Sequence, residues 1–168
     1  TENVIRNISA PGVIMKEVND FENNVLINVE DACFVFKKKW DWSGELQAFP
    51  LYGTHLRRNI MVQSAFSMES EFPEQNRVGP FYLAPYRPEL LGQPMADNNI
   101  FFVTDDSRMG DEALKRARAL GIDGDSVAAD PMFVDLEKGD LRFTKGSPAR
   151  KLGISPLTRY GIQEPYGL

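Results

Sequence analysis

Six acidic side chains fall where the chain leaves its most regular stretches: Glu30, Asp31, Asp41, Glu45, Glu69 and Glu71. Two carboxyl groups held about 5 to 9.5 Å apart can hydrolyse a glycosidic bond, one protonating the leaving oxygen and the other attacking the sugar or activating water. Glu69 and Glu71 share one parity in an extended chain and would project together. Each acid alone also fits a solvated loop. A second chemistry is open to Lys37, Lys38, Lys39, Arg57 and Arg58. A base of this kind can take the proton beside a uronate carboxylate, with a cation such as Ca2+ stabilising the charge that develops. Lys37 and Arg57 are the candidates for that elimination, and a solvated basic turn is the plainer reading of the same residues.

Aromatic side chains accompany these groups. Trp40, Trp42, Phe49, Tyr52, Phe81, Tyr82 and Tyr86 lie in or beside the same irregular segments. Exposed, they could stack on sugar rings; turned inward, they would pack the segments onto the body of the protein. Of these, Trp40, Trp42, Tyr82 and Tyr86 are the expected substrate contacts, together with His55. As the single histidine, His55 cannot build a multi-histidine metal site. Asp123-Gly124-Asp125-Ser126 lacks the glycine and glutamate that a calcium loop needs, so no metal site is expected. The chain carries no nucleophile elbow, phosphate loop or dinucleotide fingerprint.

The composition narrows the partners. The 168 residues are 42% hydrophobic and 26% charged, an ordinary globular balance. A formal net charge of −5 argues against a nucleic-acid binder, which needs surplus lysine and arginine. One cysteine, Cys33, excludes an internal disulfide framework. No apolar run is long enough to cross a bilayer, so no membrane partner is expected.

The elements that would position these residues show themselves as a repeat. Glu2–Asn7, Asn23–Asn28, Arg58–Gln63 and Asn98–Val103 align on Asn3, Asn24, Asn59 and Asn99. A β-branched residue follows each asparagine (Val4, Val25, Ile60, Ile100) and an apolar one follows that (Ile5, Leu26, Met61, Phe101). Stacked parallel strands lie about 4.8 Å apart, so a column of asparagines can bond amide to amide along the stack. The alternation assigns Val25 and Ile27, Ile60 and Val62, and Ile100 and Phe102 to the interior, with Arg6 breaking the pattern in the first segment. Successive asparagines stand 21, 35 and 40 residues apart. The first interval suits one bare circuit of three short strands; the others need lateral loops, assigned to residues 40–56 and 66–97. Cys33–Lys37 reads as a further strand.

Residues 111–120 read as a short helix capped by Asp111 and ended by Gly121, with Ala113, Leu114, Ala117 and Leu120 on its apolar side. Beyond it stand Ala129-Asp130-Pro131-Met132-Phe133-Val134-Asp135, Gly139-Asp140-Leu141-Arg142-Phe143 and Gly146-Ser147-Pro148-Ala149 followed by Gly153-Ile154. Together these resemble the closing segment of right-handed parallel β-helix repeat proteins, the pectate-lyase-like carbohydrate-active group. The resemblance implies that residues 1–168 are the C-terminal coils and end segment of an all-β right-handed parallel β-helix, with lateral loops, one short helix and a closing segment that covers the last coil.

It further implies a secreted or periplasmic protein acting on a plant, algal or bacterial polysaccharide or oligosaccharide. A glycoside hydrolase is the first expectation, a uronate lyase the second, and a non-catalytic glycan-binding or oligomerising solenoid the third. Because the chain opens directly in a strand, preceding coils or another chain are expected against Val4, Ile5 and Ile8.

Overall fold

The computed structural model describes residues 2–9, 12–15, 19–29, 32–36, 39–40, 46–47, 53–64, 76–79, 81–84 and 95–157. Most of its regular structure is short strands in parallel sheets, joined by one helix. The chain visits three sheets in rotation. From β1 (Val4–Ile8) in the first sheet it passes to β2 (Val13–Met15) in the second, β3 (Asp20–Glu22) in the third, and back to the first at β4 (Val25–Val29). The next circuit runs through β5 (Phe34–Phe36), the antiparallel pair β6 (Lys39–Trp40) and β7 (Leu46–Gln47), β8 (His55–Arg57) and β9 (Ile60–Gln63). The third runs through β10 (Asn76–Val78), β11 (Tyr82–Ala84), β12 (Met95–Asp97) and β13 (Ile100–Val103). Helix α1 (Ser107–Ala119) follows, then β14 (Val127–Ala128) and the hairpin β15 (Phe133–Asp135) and β16 (Asp140–Phe143).

The first sheet has the order β1-β4-β9-β13-β14, the second β10-β11-β5-β2 and the third β12-β8-β3. Within the first sheet the register is that of the repeat: Val4, Val25, Ile60, Ile100 and Val127 are successive partners. The asparagines form the expected column. Asn3 donates through Nδ2 to Asn24 Oδ1 at 2.9 Å, Asn24 to Asn59 at 2.9 Å, and Asn59 to Asn99 at 3.3 Å. Each acceptor oxygen also takes the preceding asparagine's backbone N–H, at 2.8 to 3.1 Å.

All donors in the column point the same way, so its far end must offer acceptors. There Asn99 donates through Nδ2 to Asp123 Oδ1 at 2.8 Å and through its backbone N–H to Ser126 Oγ at 2.8 Å. Before each asparagine the backbone turns one left-handed corner, at Glu2, Asn23, Arg58 and Asn98, with φ of 56° to 58°. Asparagine suits that region; for arginine it costs about 1–2 kcal/mol.

Two apolar clusters bury the first sheet from both sides. One is shared by all three sheets and α1: Leu26, Met61 and Phe101 meet Phe34, Tyr82, Leu56 and Ala113. The other joins Val25, Ile27, Ile60, Val62 and Ile100 to Leu141, Phe143, Ala149, Ile154 and Leu157. The inward assignment made from the repeat is therefore reversed. Val25, Ile27, Ile60, Val62 and Ile100 are buried and Phe102 is half-buried, but on the opposite face of the sheet, beneath the C-terminal segment. Because strands apolar at both parities show no alternation, either face could have been the inner one.

The C-terminal segment accordingly lies on the face of the first sheet and not over the end of the stack. It runs back across the first sheet, where Glu137 carbonyl accepts from Arg6 at 3.4 Å and Ser155 N–H donates to Asn23 Oδ1 at 2.8 Å. Helix α1 packs against β13, β14 and β10 at the end of the stack instead. It begins earlier than expected, with Asp106 rather than Asp111 as its cap: Asp106 Oδ1 accepts from Arg108 N–H at 3.1 Å. Gly110 sits inside the helix, where an added Cβ would lie 3.2 Å from the Phe101 carbonyl. Its missing side chain lets the helix approach β13. The expected apolar side and the left-handed Gly121 are both present.

The expected loops 40–56 and 66–97 are not wholly irregular: β7 and the start of β8 fall within the first, and β10, β11 and β12 within the second. Each of β8 and β12 turns only its central residue inward, too little to show a period.

Candidate functional site

The third sheet is built from three-residue strands in register. Their central residues Phe21, Leu56 and Ala96 pair and belong to the shared core. With period two, the flanking residues must face outward. They form two rows across the sheet: Asp20, His55 and Met95, then Glu22, Arg57 and Asp97. Neighbouring strands bring members of a row within about 4.8 Å, and the two rows stand about 6.5–7 Å apart.

The first row carries a hydrogen-bonded couple. His55 Nδ1 lies 2.6 Å from Asp20 Oδ1, with side-chain exposures of 30% and 67%. An ionised carboxylate only accepts, so in this couple the imidazole donates from Nδ1. Met95 completes the row at 64% exposure, an unusual place for a large apolar side chain.

In the second row Glu22 is held by two cations: Arg57 Nε forms an ion pair with Oε2 at 3.3 Å, and Arg58 donates to Oε1. Asp97 Oδ1 accepts the backbone N–H groups of Asn98 at 2.9 Å and Asp125 at 2.7 Å. The face thus offers carboxylates, guanidinium groups and one imidazole, groups that can bind hydroxyls and transfer protons. No group of three or more potential metal ligands occurs among the described residues.

His55 and Arg57, the two candidates from the sequence that fall on β8, are thereby brought to one face, two residues apart. Tyr82 is not on a surface. It is fully buried between Phe34 and Phe101, its hydroxyl accepting from Asn99 Nδ2 at 3.4 Å, so its ring has no face for a ligand. Phe81 is likewise buried, edge-on to Phe101. Trp40 lies on β6, with Leu46 of β7 as its backbone partner. Glu30, Asp31, Lys37, Asp41, Trp42, Glu45, Glu69, Glu71 and Tyr86 lie outside the described residues.

The partners Asp20, Glu22 and Asp97 were absent from the candidates read from the sequence. A signal for them existed. Extending the repeat four residues before each asparagine aligns Asp20-Phe21-Glu22, His55-Leu56-Arg57 and Met95-Ala96-Asp97, an apolar centre between two outward residues. No protein-family model, curated protein or solved structure matches this chain.

Proposed function

We propose that the chain is part of a secreted or periplasmic right-handed parallel β-helix that hydrolyses glycosidic bonds in a plant, algal or bacterial polysaccharide, with the outward face of the third sheet contacting the sugar. Three features support the architecture: the rotation of the chain through three sheets, the 21-residue first circuit between hydrogen-bonded asparagines, and the core shared by all three sheets. Among the described residues β1, β2 and β3 are edge strands, which supports pairing there with further coils or another chain.

One observation carries the activity. Asp20 and Glu22 project from one strand on one face with their backbone positions about 6.5–7 Å apart, an arrangement that lets two carboxyl groups flank a sugar. His55 beside Asp20 adds a further group able to move a proton.

The test is release of reducing ends from a panel of neutral and uronate-containing polysaccharides. Asp20→Asn and Glu22→Gln should each lower turnover by about 100-fold or more. Products bearing an unsaturated uronate would move the reading to elimination. Retention on a glycan without turnover would move it to a binding module.

A further inference from the structure

Asp123 is fully buried, though it carries a carboxyl group. Its Oδ1 takes donors from Asn99 Nδ2 at 2.8 Å and Ser126 Oγ at 2.6 Å, while Oδ2 is buried with no hydrogen bond. The backbone of the same residue donates to the Ala96 carbonyl at 2.7 Å, and Asp125 N–H donates to Asp97. The loop 121–126 is therefore tied to β12 by these bonds, and to α1 by Arg118, which donates to the Gly124 and Ser126 carbonyls. We propose that Asp123 is a pH-operated latch: neutral, it seals the end of the asparagine column, and ionised, it loosens the loop that joins α1 to the third sheet.

The geometry supplies the reason. The column's donors need an acceptor at its end, and Oδ1 serves them in either protonation state. A proton on Oδ2 removes a buried charge without breaking any of those bonds. Around the group, burial is the largest influence and raises its pKa to about 6; the hydrogen bonds from Ser126, Asn99 and Tyr82 oppose the rise, and the Asp97 carboxylate on β12 adds to it. Tyr82 on β11, itself held neutral by burial, and the buried thiol of Cys33 before β5 place no cation beside it. On α1 the charge of Arg118 is directed at loop carbonyls.

A folded-state pKa above the ordinary 3.8 favours the neutral form roughly 100-fold. The stabilisation is fully present below 3.8 and is lost as pH rises through about 6. The loop so loosened also holds Asp97, a member of the outward face, yet the latch itself does not depend on any activity there.

Thermal unfolding of the wild type and Asp123→Asn at about pH 4.5 and about pH 7.5 tests it, since the amide cannot ionise. The variant should gain several degrees relative to wild type on going to the higher pH, with amide-exchange protection in residues 121–126 of the wild type falling over the same range. A difference between the two proteins that stays constant with pH would overturn the proposal. If the variant does not fold, the carboxyl carbon of Asp123 in the wild type can be titrated by NMR. A midpoint near 6 supports the latch, and one near 3.8 refutes it.

Discussion

The first and third sheets are crossed by the same repeated chain, yet they use their outward faces in opposite ways. Strands of the first sheet are apolar at both parities, and both faces are buried, one by the shared core and one by the C-terminal segment. Strands of the third sheet bury a single central residue and carry charge or sulfur on either side of it. The first sheet supplies cohesion between distant parts of the chain; the third leaves a polar surface on a rigid base. Strand length and the polarity of alternate residues are enough to separate these roles.

The largest expected effect lies in the shared core. Phe101→Ala removes a fully buried ring that meets Phe81 and Tyr82 edge-on, and should cost about 3–5 kcal/mol in denaturant unfolding. Ile60→Ala, on the other face of the same sheet, should cost about 2–5 kcal/mol, because the C-terminal segment leaves it no exposure. A loss below about 1 kcal/mol would mean that this second face is not sealed in solution. Asn59→Ala cuts the column in its middle and strands the buried Asn24 N–H, for an expected loss of about 1–3 kcal/mol.

Substitutions on the third sheet invert the pattern. Arg57→Ala breaks an exposed ion pair and should change stability by less than about 1 kcal/mol. If the proposed hydrolysis holds, its effect should appear there, as a lower rate than that of the wild type on the same polysaccharide. Equal losses of stability and of rate would erase the contrast between the two sheets.

Much of this architecture is readable from residue types alone. The asparagine column, the strand register and the apolar side of α1 follow from a repeat whose members share side-chain chemistry. The start of α1 lies before Asp111 because Asp106 offers an equally good capping carboxylate; only the contact with β13 explains why Gly110 stands inside the helix. The outward face of the third sheet was half visible. His55 and Arg57 stand out as residue types, but their partners come from β3 and β12, 35 and 40 residues away along the column spacing.

The sequence by itself determined that short strands stack in register, because each asparagine, its β-branched follower and the left-handed corner before it are local demands on the backbone. Only the tertiary structure decided which parity of the first sheet faces the shared core. A run such as Ile60-Met61-Val62, apolar at successive positions, satisfies both faces equally, and the choice rests with the segment that folds back from beyond residue 130. The same holds for Tyr82 and Asp123. An aromatic ring and a carboxylate are ordinary surface groups until distant strands close over them, and burial, a property of the whole assembly, then turns one into core and the other into an acid that ionises near pH 6.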